Sequence, residues 1–82
     1  DAPEVAFPPD GAELALEDDG PLMLRVRGGV PPFTWLADGQ PLGVGLRARE
    51  ILVAPPRRTG AMALAVIDAA GRSARVEIRL SP

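Results

Sequence analysis

The chain of 82 residues is long enough for one small domain, and its 46% hydrophobic and 24% charged residues are typical of a globular fold. It contains no His, Cys, Lys or Tyr, which excludes disulfides, thiolate metal sites and the side chain that most often transfers protons near neutral pH. The net charge of −2 and the scarcity of aromatic residues argue against nucleic-acid binding. No apolar run is long enough for a membrane helix, so we expect no direct membrane insertion.

Charge is distributed unevenly along the chain. The first twenty residues hold seven acidic residues and no Arg, whereas all nine Arg residues follow. One interpretation is that an acidic first strand lies beside an Arg-bearing neighbour. The other is that one face is basic and meets an anionic partner. Because the chain begins at Asp1 rather than Met, we also expect it to be part of a longer protein.

Short segments with alternating apolar and polar residues, separated by turns of Pro, Gly and Asp, predict strands along the whole chain. In chain order they cover residues 5–7, 12–16, 22–27, 33–37, 40–42, 50–53, 61–67 and 73–80. In the second of them Leu14 and Leu16 are expected to point inward. Asp38-Gly39 is the strongest hairpin signal, and residues 43–48 are expected to be irregular.

This pattern predicts an all-β fold, an Ig-like β-sandwich of about seven short strands that forms one domain over residues 1–82. Trp35 lies in the middle of a predicted strand, where a core anchor is a better interpretation than a ligand platform. The predicted core residues are Leu24, Val26, Trp35, Leu64, Val66, Val76 and Ile78.

Residues 61–70 also fit a helix, because they are rich in Ala and Gly71 is a suitable C-terminal cap. We favour a strand, since Val66 and Ile67 prefer sheets and the following segment alternates strictly. Two strands joined by the turn at residues 68–71 would bury both segments.

The sequence Gly-Val-Gly-Leu-Arg-Ala at residues 43–48 matches a dinucleotide-binding pattern, with Asp68 twenty residues further on. That mechanism requires a preceding strand and a helix that opens at the glycines. Pro55-Pro56 leaves no room for such a helix. We therefore interpret the match as a Gly-rich connection between strands.

No catalytic constellation is evident, and we predict no catalytic residues, no cofactor and no metal. Hydroxyl nucleophiles have no His or Lys to serve as a base. The acidic cluster Glu17-Asp18-Asp19 is better explained as a solvated turn than as a pair of catalytic carboxylates or a weak calcium site.

Four arginines, Arg47, Arg49, Arg57 and Arg58, form the only basic cluster outside the predicted strands. Arg can hold carboxylate or phosphate groups through two parallel hydrogen bonds. These residues are therefore the predicted partner-binding site, against the simpler alternative that they only solvate two loops.

Three motifs in this order resemble the C-terminal domain of the 1C-type bacterial penicillin-binding proteins, a family of bifunctional peptidoglycan synthases. They are FPPDGA at residues 7–12, FTWLADGQPLG at residues 33–43 and ALAVIDAAGRSA at residues 63–74, with the strand at residues 22–27 between the first two. The likeness covers nearly the whole chain. Leu52, and Ala61-Met62 after Gly60, depart from the aromatic and the basic or His residues that are common at these positions in the family.

The resemblance implies a parent enzyme that is anchored in the inner membrane, lies in the periplasm and carries glycosyltransferase and transpeptidase domains upstream. This chain is then expected to be a non-catalytic module that positions the enzyme or docks a partner in cell-wall synthesis. Its partners would be the upstream catalytic domains, cell-wall polymer or another periplasmic protein.

Residues 28–35, GGVPPFTW, also resemble the strand openings of bacterial Ig-like surface repeats. That alternative would make the chain a structural spacer or an adhesion module. A carbohydrate-binding sandwich is a third alternative, but it would need more exposed aromatic residues.

Overall fold

The computed structural model describes residues 1–15 and 20–82 of the chain, and these form strands and turns without a helix. The eight strands are β1 (Glu4–Phe7), β2 (Glu13–Ala15), β3 (Leu22–Arg27), β4 (Phe33–Ala37), β5 (Gln40–Leu46), β6 (Glu50–Val53), β7 (Gly60–Ile67) and β8 (Ser73–Ser81). One sheet has the order β1-β3-β6, and the other has the order β2-β8-β7-β4-β5. The predicted all-β sandwich is confirmed.

Two hairpins build the centre of the five-stranded sheet. Asp38 and Gly39 join β4 to β5, and both have positive φ angles, of 48° and 82°. This is the geometry of the tight turns that match the twist of a hairpin. β7 and β8 pair along their length from Gly60↔Leu80 to Ile67↔Ser73, so the strand prediction for residues 61–67 is confirmed and the helical alternative is wrong.

The core lies between the two sheets and follows the predicted alternation. Every predicted core residue is buried, and Leu24, Trp35, Leu64 and Val66 are fully so. The predicted list of core residues omitted Met62 and Phe33, although the alternation places Phe33 on the same face as Trp35; each of the two is at most 2% exposed. Leu14 packs against the core as expected, whereas Leu16 lies outside the described residues.

The prediction that residues 43–48 are irregular is wrong for the first four of them, because β5 continues to Leu46. The pairing of β5 with β4 shifts register twice, on either side of the Trp35↔Gly43 pair. An added Cβ at Gly43 would lie 2.6 Å from Leu46 Cδ1, so the glycine allows Leu46 to fold over the strand toward the core. The irregularity that the glycines indicate is therefore a bulged strand rather than a loop.

Asp68 ties the β7–β8 turn to the glycine loop that precedes β4. Its side chain is fully buried, and the carboxylate accepts hydrogen bonds from the backbone N–H groups of Val30 (3.1 Å), Ala70 (3.0 Å) and Arg72 (2.9 Å), and from the Arg72 guanidinium (3.1 Å). Burial alone would raise the pKa of Asp68, but these hydrogen bonds and the guanidinium charge outweigh it and lower that pKa below 3.8. The carboxylate is thus a structural link between distant segments.

Candidate partner-binding site

The four arginines that the sequence singles out occupy two separate places. Arg47 and Arg49 lie in the β5–β6 connection, which follows the Phe33↔Leu46 pair at the start of β4. Arg57 and Arg58 lie in the β6–β7 connection, beside the turn that follows the other end of β4. Four residues of extended chain separate the two ends by roughly 13 Å. The structure therefore forms two pairs rather than one cluster.

Arg49 is held by backbone and aromatic contacts. Its guanidinium donates hydrogen bonds to the carbonyl oxygens of Gly28 (2.6 Å) and Gly29 (3.2 Å), and it lies 5.1 Å from the centroid of the Phe33 ring. These contacts join the β5–β6 connection to the glycine loop. They identify a structural role for Arg49, whereas a role in partner binding stays a prediction for all four arginines.

Arg58 forms an ion pair with Asp38 at the tip of the β4–β5 hairpin. The Asp38 carboxylate also accepts a hydrogen bond from the backbone N–H of Ala63 (2.8 Å), and this contact fixes it against β7. Because one carboxylate oxygen is held by the sheet, the other orients the guanidinium of Arg58. The loop arginine is thus directed to a defined place beside the hairpin.

The ion pair borders a cavity of about 330 Å³, which we call the hairpin cavity. Its lining residues are Ala37, Asp38, Gln40, Leu42, Ala54, Pro56 and Arg58. An apolar floor with a few polar groups at its border is the usual form of a small binding site. The guanidinium and the Gln40 amide can donate hydrogen bonds to a carboxylate, while the floor accommodates a small apolar group.

Sequence reasoning identified the arginine of this cavity but not its other walls. Gln40 and Leu42 belong to β5, and Pro56 belongs to the β6–β7 connection, so only the tertiary fold brings them together. The sequence shows a hairpin turn at Asp38-Gly39 and a Pro-rich loop at Pro55-Pro56, but it does not specify that the two are neighbours in the fold.

Two other candidate sites came from the sequence, the dinucleotide-like match and the acidic cluster. The dinucleotide-like match at residues 43–48 falls mostly within strand β5, so its interpretation as a Gly-rich connection between strands is wrong for residues 43–46, and no helix opens at the glycines. The acidic cluster at residues 17–19 lies outside the described residues. Within residues 1–15 and 20–82, no group of three or more acidic side chains is placed to hold a metal ion.

The outer face of the three-stranded sheet explains part of the charge asymmetry. Arg27 on β3 pairs with Glu4 on the adjacent β1 (3.1 Å), and Arg25 pairs with Glu50 on β6 (2.8 Å). The interpretation that an acidic first strand lies beside an Arg-bearing neighbour is confirmed for Glu4. These exposed pairs leave the outer face of this sheet close to neutral.

Comparison with known proteins gives one positive result. The model of the Penicillin-Binding Protein C-terminus Family matches residues 1–78, whereas no curated protein and no solved structure matches the chain. In the described part of the chain, no helix has the length and hydropathy needed to cross a membrane. The match covers the three motifs on which the sequence resemblance depends, and the chain belongs to the penicillin-binding protein C-terminus family.

Proposed function

We propose that this chain is a non-catalytic accessory domain that positions a penicillin-binding protein during peptidoglycan synthesis by docking a partner. The observation that supports this proposal is the family match over residues 1–78, which assigns the chain to the C-terminal region of such proteins. The parent protein would be anchored in the inner membrane, and the domain would lie in the periplasm. Surface adhesion by Ig-like repeats has no comparable support.

The side-chain chemistry supports a role without catalysis. The chain has no His, Lys or Cys to activate a nucleophile or to act as one. Ser81 lies at the end of β8, where its hydroxyl donates a hydrogen bond to the backbone carbonyl of Leu14 (3.4 Å). A domain of this composition is suited to binding and positioning.

We place the docking site at the hairpin cavity and the neighbouring β6–β7 connection. The Arg58 guanidinium is oriented there by Asp38, and Arg57 precedes it in the same connection. A ligand that combines a carboxylate with a small apolar group fits this chemistry, whether it belongs to cell-wall polymer or to a periplasmic protein. Each exposed contact contributes little, but tethering to the parent enzyme raises the effective concentration of the partner.

Co-sedimentation of the domain with purified sacculi at low and high salt tests this proposal. We expect salt-sensitive binding by the wild type and a clear loss in the double variant Arg57→Ser/Arg58→Ser. The matched control, Arg25→Ser/Arg27→Ser, removes the same charge from the outer face of the other sheet and should bind like the wild type.

Equal loss in both double variants would mean that only net charge matters, and it would refute the assignment to the hairpin cavity. If wild-type binding is absent, the same variants are tested by crosslinking to the catalytic region of the parent protein. Absence of both contacts contradicts the docking role. Acylation of the isolated domain by a fluorescent penicillin would contradict its non-catalytic character.

A further inference from the structure

The outer face of the five-stranded sheet is unusually apolar at its centre. Neither β4 nor β7 contains a charged residue, although both have one face directed away from the core. The outward residues, which alternate with the buried ones, are Thr34, Leu36, Ala61, Ala63, Ala65 and Ile67. Val44, the most exposed large hydrophobic residue in the described part of the chain, lies on the neighbouring β5.

A strand with one solvated face normally alternates apolar and polar residues, as β8 does. A continuous apolar run is instead typical of a strand that is covered on both faces. β7 shows this second pattern over its full length, yet within the domain its outward residues are only half-buried, and Ala61 is exposed. The central strands of the sheet therefore carry the sequence signature of a surface that meets another protein surface.

The charged border of this face indicates what that surface is. β8 presents Arg75, Glu77 and Arg79 outward, a row of alternating sign beside the alanines of β7. Arg75 and Glu77 are 68% and 60% exposed and lie 3.4 Å apart. Two antiparallel copies of such a row are complementary when they are offset so that Arg75 meets Glu77, whereas alignment centred on Glu77 would bring like charges together.

We propose that this outer face binds the same face of a second copy of the domain. In a two-fold arrangement with its axis across the strands, midway between Arg75 and Glu77, each Arg75 faces the Glu77 of the second copy. The pairing of β7 with β8 then places Ala65 opposite Ala63 of the second copy. It also places Ile67, the largest outward residue of β7, opposite Ala61 of the second copy, which has a small methyl side chain.

The size of the face sets the strength of this contact. β7 and β8 have eight and nine residues and β4 has five, so the three strands span at most roughly 14 Å by 26 Å. This area is below the roughly 800 Å² that a standard interface buries on each partner. The dimer is therefore weak and depends on concentration. Two copies held in one membrane reach the required concentration more easily than copies in dilute solution.

Sedimentation equilibrium of the 82-residue domain tests this inference, with measurements from about 10 µM to about 1 mM, a range suited to small interfaces. We expect reversible dimerisation in the wild type. Ala65→Arg should abolish it, because the substitution places a charge at the centre of the apolar face. Leu52→Arg is the matched control, since Leu52 is 65% exposed on the other sheet, and it should dimerise like the wild type.

A charge swap separates a specific contact from a folding defect. Glu77→Arg makes the row uniformly positive and should weaken dimerisation roughly tenfold or more. The double variant Arg75→Glu/Glu77→Arg restores opposite charges across the two-fold axis and should recover the wild-type association. Thermal melting establishes that each variant is folded.

A wild-type domain that stays monomeric throughout the concentration range overturns the inference. A dimer that survives Ala65→Arg, or one that the charge swap does not restore, also overturns it. Because the contact does not use the hairpin cavity, failure here is distinguishable from failure of the proposed function in the sacculus assay.

Discussion

Replacement of Trp35 tests whether the sandwich core depends on one large side chain. Trp35 lies on β4, between β7 and β5, and its side chain is fully buried. Its indole Nε1 has no hydrogen-bond partner among the described residues. Trp35→Ala therefore removes a large apolar volume without breaking a hydrogen bond, so the predicted loss comes from packing alone.

The expected loss of stability is large for a domain of this size. Truncation of a buried aromatic residue to Ala costs about 3–5 kcal/mol. A chain of 82 residues has a free energy of unfolding of roughly 4–12 kcal/mol. Trp35→Phe should cost less, roughly 1–2 kcal/mol, because it keeps a ring in the core and removes the unpartnered N–H group.

Urea denaturation followed by far-UV circular dichroism measures these differences, since the variants lack the only Trp and its fluorescence. With a slope of about 1 kcal/mol per M for a small domain, a loss of about 3–5 kcal/mol should lower the midpoint by about 3–5 M or leave Trp35→Ala unfolded in water. Leu52→Ala, at an exposed position, is the control and should change the stability by less than about 0.5 kcal/mol. If Trp35→Ala shifts the midpoint no more than the control does, the proposed role of Trp35 in the core is refuted.

Three further predictions concern the contacts that join distant segments. Asp68→Asn should lower the melting temperature at pH 7 and flatten its decline in acid. The pKa of Asp68 is lowered in the folded state, so the stability it contributes is complete above pH 3.8 and is progressively lost as the pH falls through the folded-state pKa. Melting curves from pH 7 to pH 2 measure this effect, and parallel wild-type and variant curves would contradict it. Gly28→Ala should lower the midpoint of urea unfolding more than Gly11→Ala does. Both glycines have positive φ angles, but only at Gly28 would the added Cβ meet a backbone oxygen, at 2.6 Å. Equal losses in the two variants would contradict the steric argument. Arg49→Ala should cost about 1 kcal/mol by the same assay through loss of its carbonyl and aromatic contacts, and an unchanged midpoint would show that these contacts contribute nothing.

The local features of the fold were predictable because they depend on short-range chemistry. Asp38-Gly39 supplies the positive φ angles of a hairpin turn, and the alternation in β8 assigns one face to the core. The bulged course of β5 was missed because glycines at residues 43 and 45 resemble a loop in composition. The pairing of β5 with β4 as far as Leu46, and the packing of Leu46 over Gly43, are tertiary features that this composition does not reveal.

The long-range features were not predictable from local patterns. β2 pairs in parallel with β8, although 57 residues separate the end of one from the start of the other, and nothing in its three residues specifies that partner. Asp68 has the sequence signature of a turn residue, yet its contact with Val30 spans 38 positions. The separation of the four arginines likewise follows from strand order, which a cluster in sequence does not reveal.

Charge pairing within the domain bears on where it meets partners. Arg25, Arg27, Arg58 and Arg72 each form an ion pair with an acidic side chain of the same domain. Exposed pairs of this kind add little stability, but they reduce the local potential that would attract a distant anion. In the contacts proposed above, surface shape and apolar area therefore contribute alongside the local charge of the arginines. The apolar outer face of β4 and β7 and the hairpin cavity both offer apolar surface for contact, whereas the outer face of the three-stranded sheet is covered by ion pairs. Substitutions on these three surfaces therefore discriminate between docking and simple solvation of the arginines.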